Sequence, residues 1–225
     1  MLIKIKTATL LDIRPATPVR PPVGLLDKMN LDIFYTDDIR MEYCDDNRRN
    51  IQHVLDACRE ERRPYVIVKN NILPLNSSTS LQTILVPITM LEEEVYKAEI
   101  CTYLARKTGA HLVLLRANDY GSKAKNNTQR IITHIQTVSE ITSTPISYEE
   151  RVAKGDSFHI HKELPTLSAT IQDKDKGGVL LLVTASREYG VDDWLFGPPE
   201  RYVIRHSHVP VMLINPRSDL FSLCD

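Results

Sequence analysis

The chain has 225 residues, and its 28 basic side chains nearly balance its 29 acidic ones. This balance argues against a nucleic-acid-binding protein, which would carry a basic face, and against a polybasic membrane anchor. Hydrophobic residues make up 42% of the chain, but no apolar run reaches the ~20 residues that cross a bilayer, so we expect a globular protein without direct membrane insertion.

The first 80 residues combine weak strand signals with helix breakers. Four prolines between residues 15 and 22 exclude a helix there. Residues 70–82 have the polar composition of a linker. Short strands are predicted over 3–7, 31–35 and 65–68, and a helix over 50–60.

From residue 83 the pattern becomes regular, because short apolar strands alternate with amphipathic helices. The helix over 92–108 starts acidic and ends basic, and Gly109 follows it as a left-handed cap. Pro165 is expected to interrupt the helix over 157–172. The other predicted helices cover 123–141 and 198–206, and the strands cover 83–88, 111–115, 146–152, 179–183 and 210–214. This alternation predicts an α/β, doubly wound, mostly parallel sheet that binds ligands at the carboxyl ends of its strands.

The four cysteines and the paired histidines predict no metal or redox site. No two cysteines have Cys-x-x-Cys spacing, and we interpret them as reduced side chains of a cytoplasmic protein. His159 and His161 would diverge on the predicted helix, so we expect no metal there.

Several segments resemble the universal stress protein family. Residues 84–87 (Ile-Leu-Val-Pro), followed by an acidic helix, resemble its first strand and helix. Residues 104–115 are similar to its first helix end and second strand, and residues 203–211 to the segment before its last strand. The resemblance covers 83–216 and leaves 217–225 as a tail. It implies a Rossmann-like sheet of five strands.

The resemblance also indicates where a nucleotide would bind. ATP-binding members carry Gly-x-x-Gly-x9-Gly-Ser/Thr after the fourth strand, where backbone N–H groups and a helix start hold the phosphates. This chain has Thr184, Arg187, Gly197 and Pro198 at the four defined positions, so only one of them matches. Gly190 matches a further glycine that is common in that loop.

These departures predict that ATP is disfavoured and that no cofactor is bound. Thr89 stands where ATP-binding members have an acidic residue. Pro198 and Pro199 have no N–H for a phosphate, and the three carboxylates between residues 186 and 197 would repel one. Trp194 is expected to be buried in the space that a nucleotide would fill. The candidate pocket comprises Ile88, Thr89, Ser186, Arg187, Gly190 and Gly197.

No catalytic motif is present in the sequence. Neither a Gly-x-Ser-x-Gly elbow, nor a Walker A loop, nor a Gly-x-Gly-x-x-Gly fingerprint occurs. The resemblance therefore implies a non-enzymatic regulatory or ligand-sensing stress protein with a degenerate nucleotide site. Two alternatives stay open: a nucleotide-binding stress protein with a divergent loop, and a cytosolic regulatory domain of a membrane transporter.

The N-terminal elements repeat the order of the last ones. The N-terminal order is the strand 31–35, the helix 50–60, Pro64 and the strand 65–68. The C-terminal order is the strand 179–183, the helix 198–206, Pro210 and the strand 211–214. We interpret residues 1–75 as a smaller α/β subdomain, an eroded copy of the same fold joined through a linker at 76–82; an unrelated extension is the alternative. Since apolar edge strands invite pairing, we predict that strands 65–68 and 211–214 pair within one chain as a pseudo-dimer. Pairing of 211–214 with a second copy would instead give a homodimer. The apolar triplet from Trp194 to Phe196 could also contact a protein partner.

Overall fold

In a computed structural model, the described residues are 40–44, 48–61, 64–69, 81–175, 177–185 and 198–215. Strands run over Arg40–Cys44 (β1), Tyr65–Lys69 (β2), Leu81–Ile88 (β3), His111–Arg116 (β4), Tyr148–Val152 (β5), Gly178–Thr184 (β6) and Val211–Ile214 (β7). Helices run over Arg48–Glu61 (α1), Lys97–Thr108 (α2), Lys123–Thr142 (α3), Leu164–Asp175 (α4) and Pro199–His206 (α5). Two short 3-10 helices, Glu92–Tyr96 and Ile160–Lys162, precede α2 and α4.

The strands form one sheet in the order β1-β2-β7-β6-β3-β4-β5. Every neighbouring pair is parallel except β2 and β7. Strands β3 to β7 are the five strands that the regular part of the sequence predicts, and β1 and β2 extend the same sheet. The prediction of a doubly wound α/β fold is confirmed. No helix in the described ranges is long and apolar enough to cross a membrane.

The core consists of two apolar layers, one on each face of the sheet. Ile84, Val86 and Ile88 pack in the layer under α2 and α3, whereas Leu85 packs in the layer under α1, α4 and α5. The alternation follows from the strand geometry, in which successive side chains point to opposite faces. Full burial of such a side chain stabilises the fold by about 1.5–3 kcal/mol.

Strand β2 lies antiparallel to β7 within the chain. Tyr65 pairs with Leu213, and Ile67 with Val211, which confirms the predicted pairing. Strand β1 runs parallel to β2, and β6 runs parallel to β7. The β2–β7 pair is therefore the boundary between two strand–helix–strand units, one made of β1, α1 and β2 and the other of β6, α5 and β7. That these units share an origin stays a hypothesis.

Helices α1 and α5 pack together beside this boundary, and side chains tie the two units to each other. Lys69 Nζ donates a hydrogen bond to Arg205 O at 2.7 Å. Gln52 accepts a hydrogen bond from the Arg201 guanidinium, and the Asn215 amide donates to the backbone oxygen of Cys58. The contacts fix the position of α5, which forms a wall of the site described below.

Four local features differ from or refine the predictions. Strand β1 was not predicted, while the strands predicted at 3–7 and 31–35 lie outside the described residues. Strand β3 begins at Leu81, inside the predicted linker. Pro165 does not interrupt a helix: it lies in the first turn of α4, where a missing N–H costs nothing. Gly109 adopts the predicted left-handed conformation, with φ 74°, and its N–H donates to Ala105 O at 2.8 Å.

Candidate functional site

A cavity of about 300 Å³ lies at the carboxyl ends of β3 and β6. The loop after β3 and the 3-10 helix before α2 form one wall, and the start of α5 forms a second wall. The segment that leads into α4 contributes the third side. The cavity thus lies where a doubly wound sheet is expected to bind a ligand.

The loop after β3 is held by side chains from two other elements. The Asn127 amide, which is buried on α3, donates to Thr89 O at 2.9 Å and to Leu91 O at 2.8 Å. The Met90 N–H donates to Ser157 Oγ at 2.8 Å. Three consecutive residues at the cavity edge therefore have a fixed backbone.

Ser157 is in turn anchored by Asp119, which follows β4. The Ser157 hydroxyl donates to Asp119 Oδ2 at 2.5 Å, and the Ser157 N–H donates to Oδ1 at 2.8 Å. The hydroxyl proton is therefore engaged by a carboxylate that positions the loop. The Ser157 hydroxyl oxygen also accepts from the Met90 N–H, so these hydrogen bonds connect three loops at the cavity.

A buried ion pair forms part of the first wall. Lys97 Nζ lies 2.5 Å from Glu94 Oε2, and it also donates to Pro87 O at 2.5 Å. Both side chains are nearly inaccessible, at 2% and 4% exposure. The lysine charge is thus compensated inside the wall.

The second wall presents a buried carboxylate at the start of α5. Glu200 is 2% exposed, and its Oε1 lies 3.7 Å from an Arg59 guanidinium nitrogen on α1. Pro198 and Pro199 have no N–H, and the Arg201 N–H donates to Pro198 O at 3.0 Å. The positive end of the helix dipole is therefore complemented by a carboxylate of the protein itself.

The charges around the cavity are predominantly negative. Glu93, Glu94 and Glu200 line it, and Lys97 is the one lysine or arginine among the lining residues that the structure describes. Burial, followed by the nearby Lys162 and His159 charges, lowers the pKa of a further lining residue, His161, and favours its neutral form.

The sequence-predicted site residues have different outcomes. Thr89 lines the cavity, whereas Ile88 is fully buried on the other face of the sheet, in the layer under α2 and α3. The remaining candidates and Trp194 lie outside the described residues: Ser186, Arg187, Gly190 and Gly197.

Sequence reasoning missed the polar residues that shape the cavity walls. Glu94 and Lys97 carry a usable signal, because their i,i+3 spacing places opposite charges on one helical face. Nothing in the sequence distinguishes Asn127 from a solvent-exposed helical residue. Within the described part of the chain, no group of three or more His, Cys, Asp or Glu side chains could hold a metal ion.

Comparison with known proteins decides the family. The model of the universal stress protein family matches residues 80–215, which is more than half of the chain. The chain belongs to the universal stress protein family. The matched region contains β3 to β7 and all of the cavity-lining residues. A search of curated proteins finds no significant match.

A solved structure of a universal stress protein shares the fold at low sequence identity. A universal stress protein from Archaeoglobus fulgidus is 17% identical with a TM-score of 0.52, and the match covers 81% of this chain and 62% of that protein. A universal stress protein in complex with cAMP is 16% identical with a TM-score of 0.46, covering 62% of this chain and 100% of that one. A Pseudomonas aeruginosa protein of unknown function is 15% identical with a TM-score of 0.43, covering 80% and 63%.

Proposed function

We propose that this universal stress protein is a cytoplasmic, non-enzymatic, ligand-sensing regulator whose cavity does not accept the triphosphate of ATP. The observation that carries the proposal is the buried Glu200 carboxylate at the start of α5. The three described cysteines are buried and form no disulfide, which supports a reducing compartment.

The cause of the rejection of ATP is electrostatic. The family resemblance places phosphates at the helix that here begins with Pro199, and Glu200 lies in its first turn. Glu200 complements the positive end of this helix dipole and is paired with Arg59, so a phosphate at this position would find the favourable interactions already taken. Glu93 adds a carboxylate to the cavity lining, and the Lys97 charge in that lining is already compensated by Glu94. A triphosphate would therefore meet carboxylates among the described lining residues, where the one lysine is already paired with a carboxylate.

A positioning role for the reactive side chains is supported by the groups that they contact. The Ser157 proton is engaged by Asp119, and the Lys97 ammonium by Glu94 and Pro87 O. These groups hold loops and walls in place. Such a cavity could recognise a ligand, but we expect the ligand to be released without chemical change.

A charge series of adenine compounds tests the proposal. Thermal unfolding is followed with Mg-ATP, cAMP and uncharged adenosine, each at about 1 mM, where binding at 100 times the dissociation constant would add ~2.7 kcal/mol. For a chain of this size that gain equals roughly 5–11 °C in Tm. We expect ATP to leave Tm unchanged. A shift of several degrees with ATP would overturn the proposal.

The matched variant Glu200→Gln identifies the cause of the rejection. Glutamine keeps the size of the side chain and removes its negative charge. We expect ATP to bind this variant more tightly than it binds the original chain. The control is Glu60→Gln, which changes an exposed carboxylate on α1 and should leave ATP binding as it was.

A further inference from the structure

We infer that the cavity binds a small, uncharged, mainly apolar organic molecule that carries one polar group directed at Thr184. The inference rests on the proposed function, because it names the ligand class of the same cavity. Three properties of the cavity support it: its volume and apolar walls, a buried hydroxyl, and the pairing of its buried charges.

The walls are mostly apolar. Ile160, Leu164 and Val203 are buried side chains that line the cavity, and Val183 lines it from β6. Leu91 is 54% exposed at the edge of the cavity, so an apolar ligand would remove it from water. A volume of about 300 Å³ is at the lower end of small-molecule sites, which fits a ligand of two or three rings.

One polar atom in the cavity wall is available to a ligand. Thr184 lines the cavity at the end of β6, and its Oγ1 is buried without a hydrogen-bond partner among the described residues. A buried hydroxyl that lacks a partner is unfavourable, so a ligand that supplies one gains affinity and orientation. A hydroxyl both donates and accepts, and it can therefore bind an amine, a hydroxyl or a carbonyl group.

The charged groups favour a neutral ligand over an anion or a cation. An anion would meet the Glu93 carboxylate and a lysine, Lys97, whose charge is already compensated by Glu94. Glu94 and Glu200 each already face a cation of the protein, Lys97 and Arg59. A cationic ligand would lose its hydration without meeting an uncompensated partner in this pair of buried carboxylates.

Two fluorescent probes that differ by one charge test the inference. N-phenyl-1-naphthylamine is neutral, and 8-anilinonaphthalene-1-sulfonate has the same ring system with an added sulfonate. Both become fluorescent in apolar surroundings, so each is titrated against the full chain. We expect saturable binding of the neutral probe and binding of the sulfonate weaker by at least about tenfold.

Two variants assign the signal to this cavity. Val183→Phe fills the space from β6 and should abolish binding of the neutral probe, whereas the control Val152→Phe, at an exposed site on β5, should leave it unchanged. Thr184→Val keeps the side-chain shape and removes the hydroxyl. It should weaken binding of the amine probe several-fold, and circular dichroism checks that each variant folds.

The outcomes separate this inference from the proposed function. If neither probe binds, or if both bind equally, the ligand class is wrong, while the rejection of ATP is judged by the adenine series alone. Equal binding of the neutral probe to the original chain and to folded Val183→Phe would also overturn the inference. If ATP binds, the proposed function fails whatever the probes do.

Discussion

Replacing Lys97 with methionine would leave the Glu94 carboxylate buried without its ammonium partner. The two side chains are 2% and 4% exposed, and their charged atoms lie 2.5 Å apart, so water cannot replace the lost partner. The substitution would also remove the hydrogen bond from Lys97 to Pro87 O at the end of β3. Methionine has nearly the length of lysine, so the change isolates the charge from the packing.

The expected cost follows from that burial. Removing one partner of a buried ion pair destabilises a protein by about 3–5 kcal/mol, because a charge is left uncompensated. A chain of this size loses about 2–4 °C in Tm per kcal/mol, so we expect Lys97→Met to lower Tm by roughly 6–20 °C. Replacement of both partners, in Glu94→Gln with Lys97→Met, should recover most of this loss.

Urea unfolding followed by far-ultraviolet circular dichroism measures both variants. The control is Lys125→Met, which removes an exposed lysine on α3 and should change the unfolding free energy by less than about 0.5 kcal/mol. Two results would refute the reasoning: a cost below about 1 kcal/mol for Lys97→Met, or a double variant no more stable than the single one.

Two further predictions concern pH and assembly. Burial raises the pKa of Glu99 from 4.5 to about 7. Between these values the folded state holds a proton that the unfolded state has released, so stability should fall as pH rises through this window. In urea unfolding, Glu99→Gln should reduce the decrease in the free energy of unfolding between about pH 5 and pH 7.5. The same pH dependence in the variant and in the original chain would contradict this prediction. Because β2 pairs with β7 at the edge where a second copy could bind, we also expect the chain to sediment as a monomer. A dimer fraction that increases with protein concentration would contradict this.

The elements with strong periodicity could be predicted from the sequence, and so could one long-range contact. Strands β3, β4, β6 and β7 are short apolar runs between amphipathic helices. This pattern is typical of a parallel sheet whose two faces are covered by helices. The pairing of β2 with β7 was predictable because both are apolar and both follow a helix and a proline. An exposed apolar edge strand invites pairing with another strand, which here is supplied within the same chain.

Strand β1 escaped prediction because its signal is weak and its spacing is unusual. Its five residues include Arg40 and Glu42, and strands at a sheet edge need little hydrophobicity. The strand predicted at 31–35 and the helix predicted at 50–60 also left a long loop before the helix. Only residues 45–47 separate β1 from α1, whereas residues 185–198 separate β6 from α5.

The walls of the site were not predictable for a different reason. A single regular helix over 92–108 was expected, but the chain forms a 3-10 helix over Glu92–Tyr96 before α2. In the sequence alone, the acidic start of that helix suggested only a favourable interaction with its dipole. The structure instead buries Glu94 against Lys97 at the cavity.

The antiparallel boundary between β2 and β7 also constrains the order in which the chain can fold. Lys69 and its hydrogen-bond partner Arg205 are 136 residues apart, so β2 leaves the ribosome long before its neighbour exists. At a synthesis rate of about 5–20 residues per second, the delay is roughly 7–30 s. During that time Tyr65–Lys69, which is fully buried in the finished protein, has one side without its native partner. The nascent chain is therefore most vulnerable to aggregation before β7 is made, and chaperones should matter most in that interval.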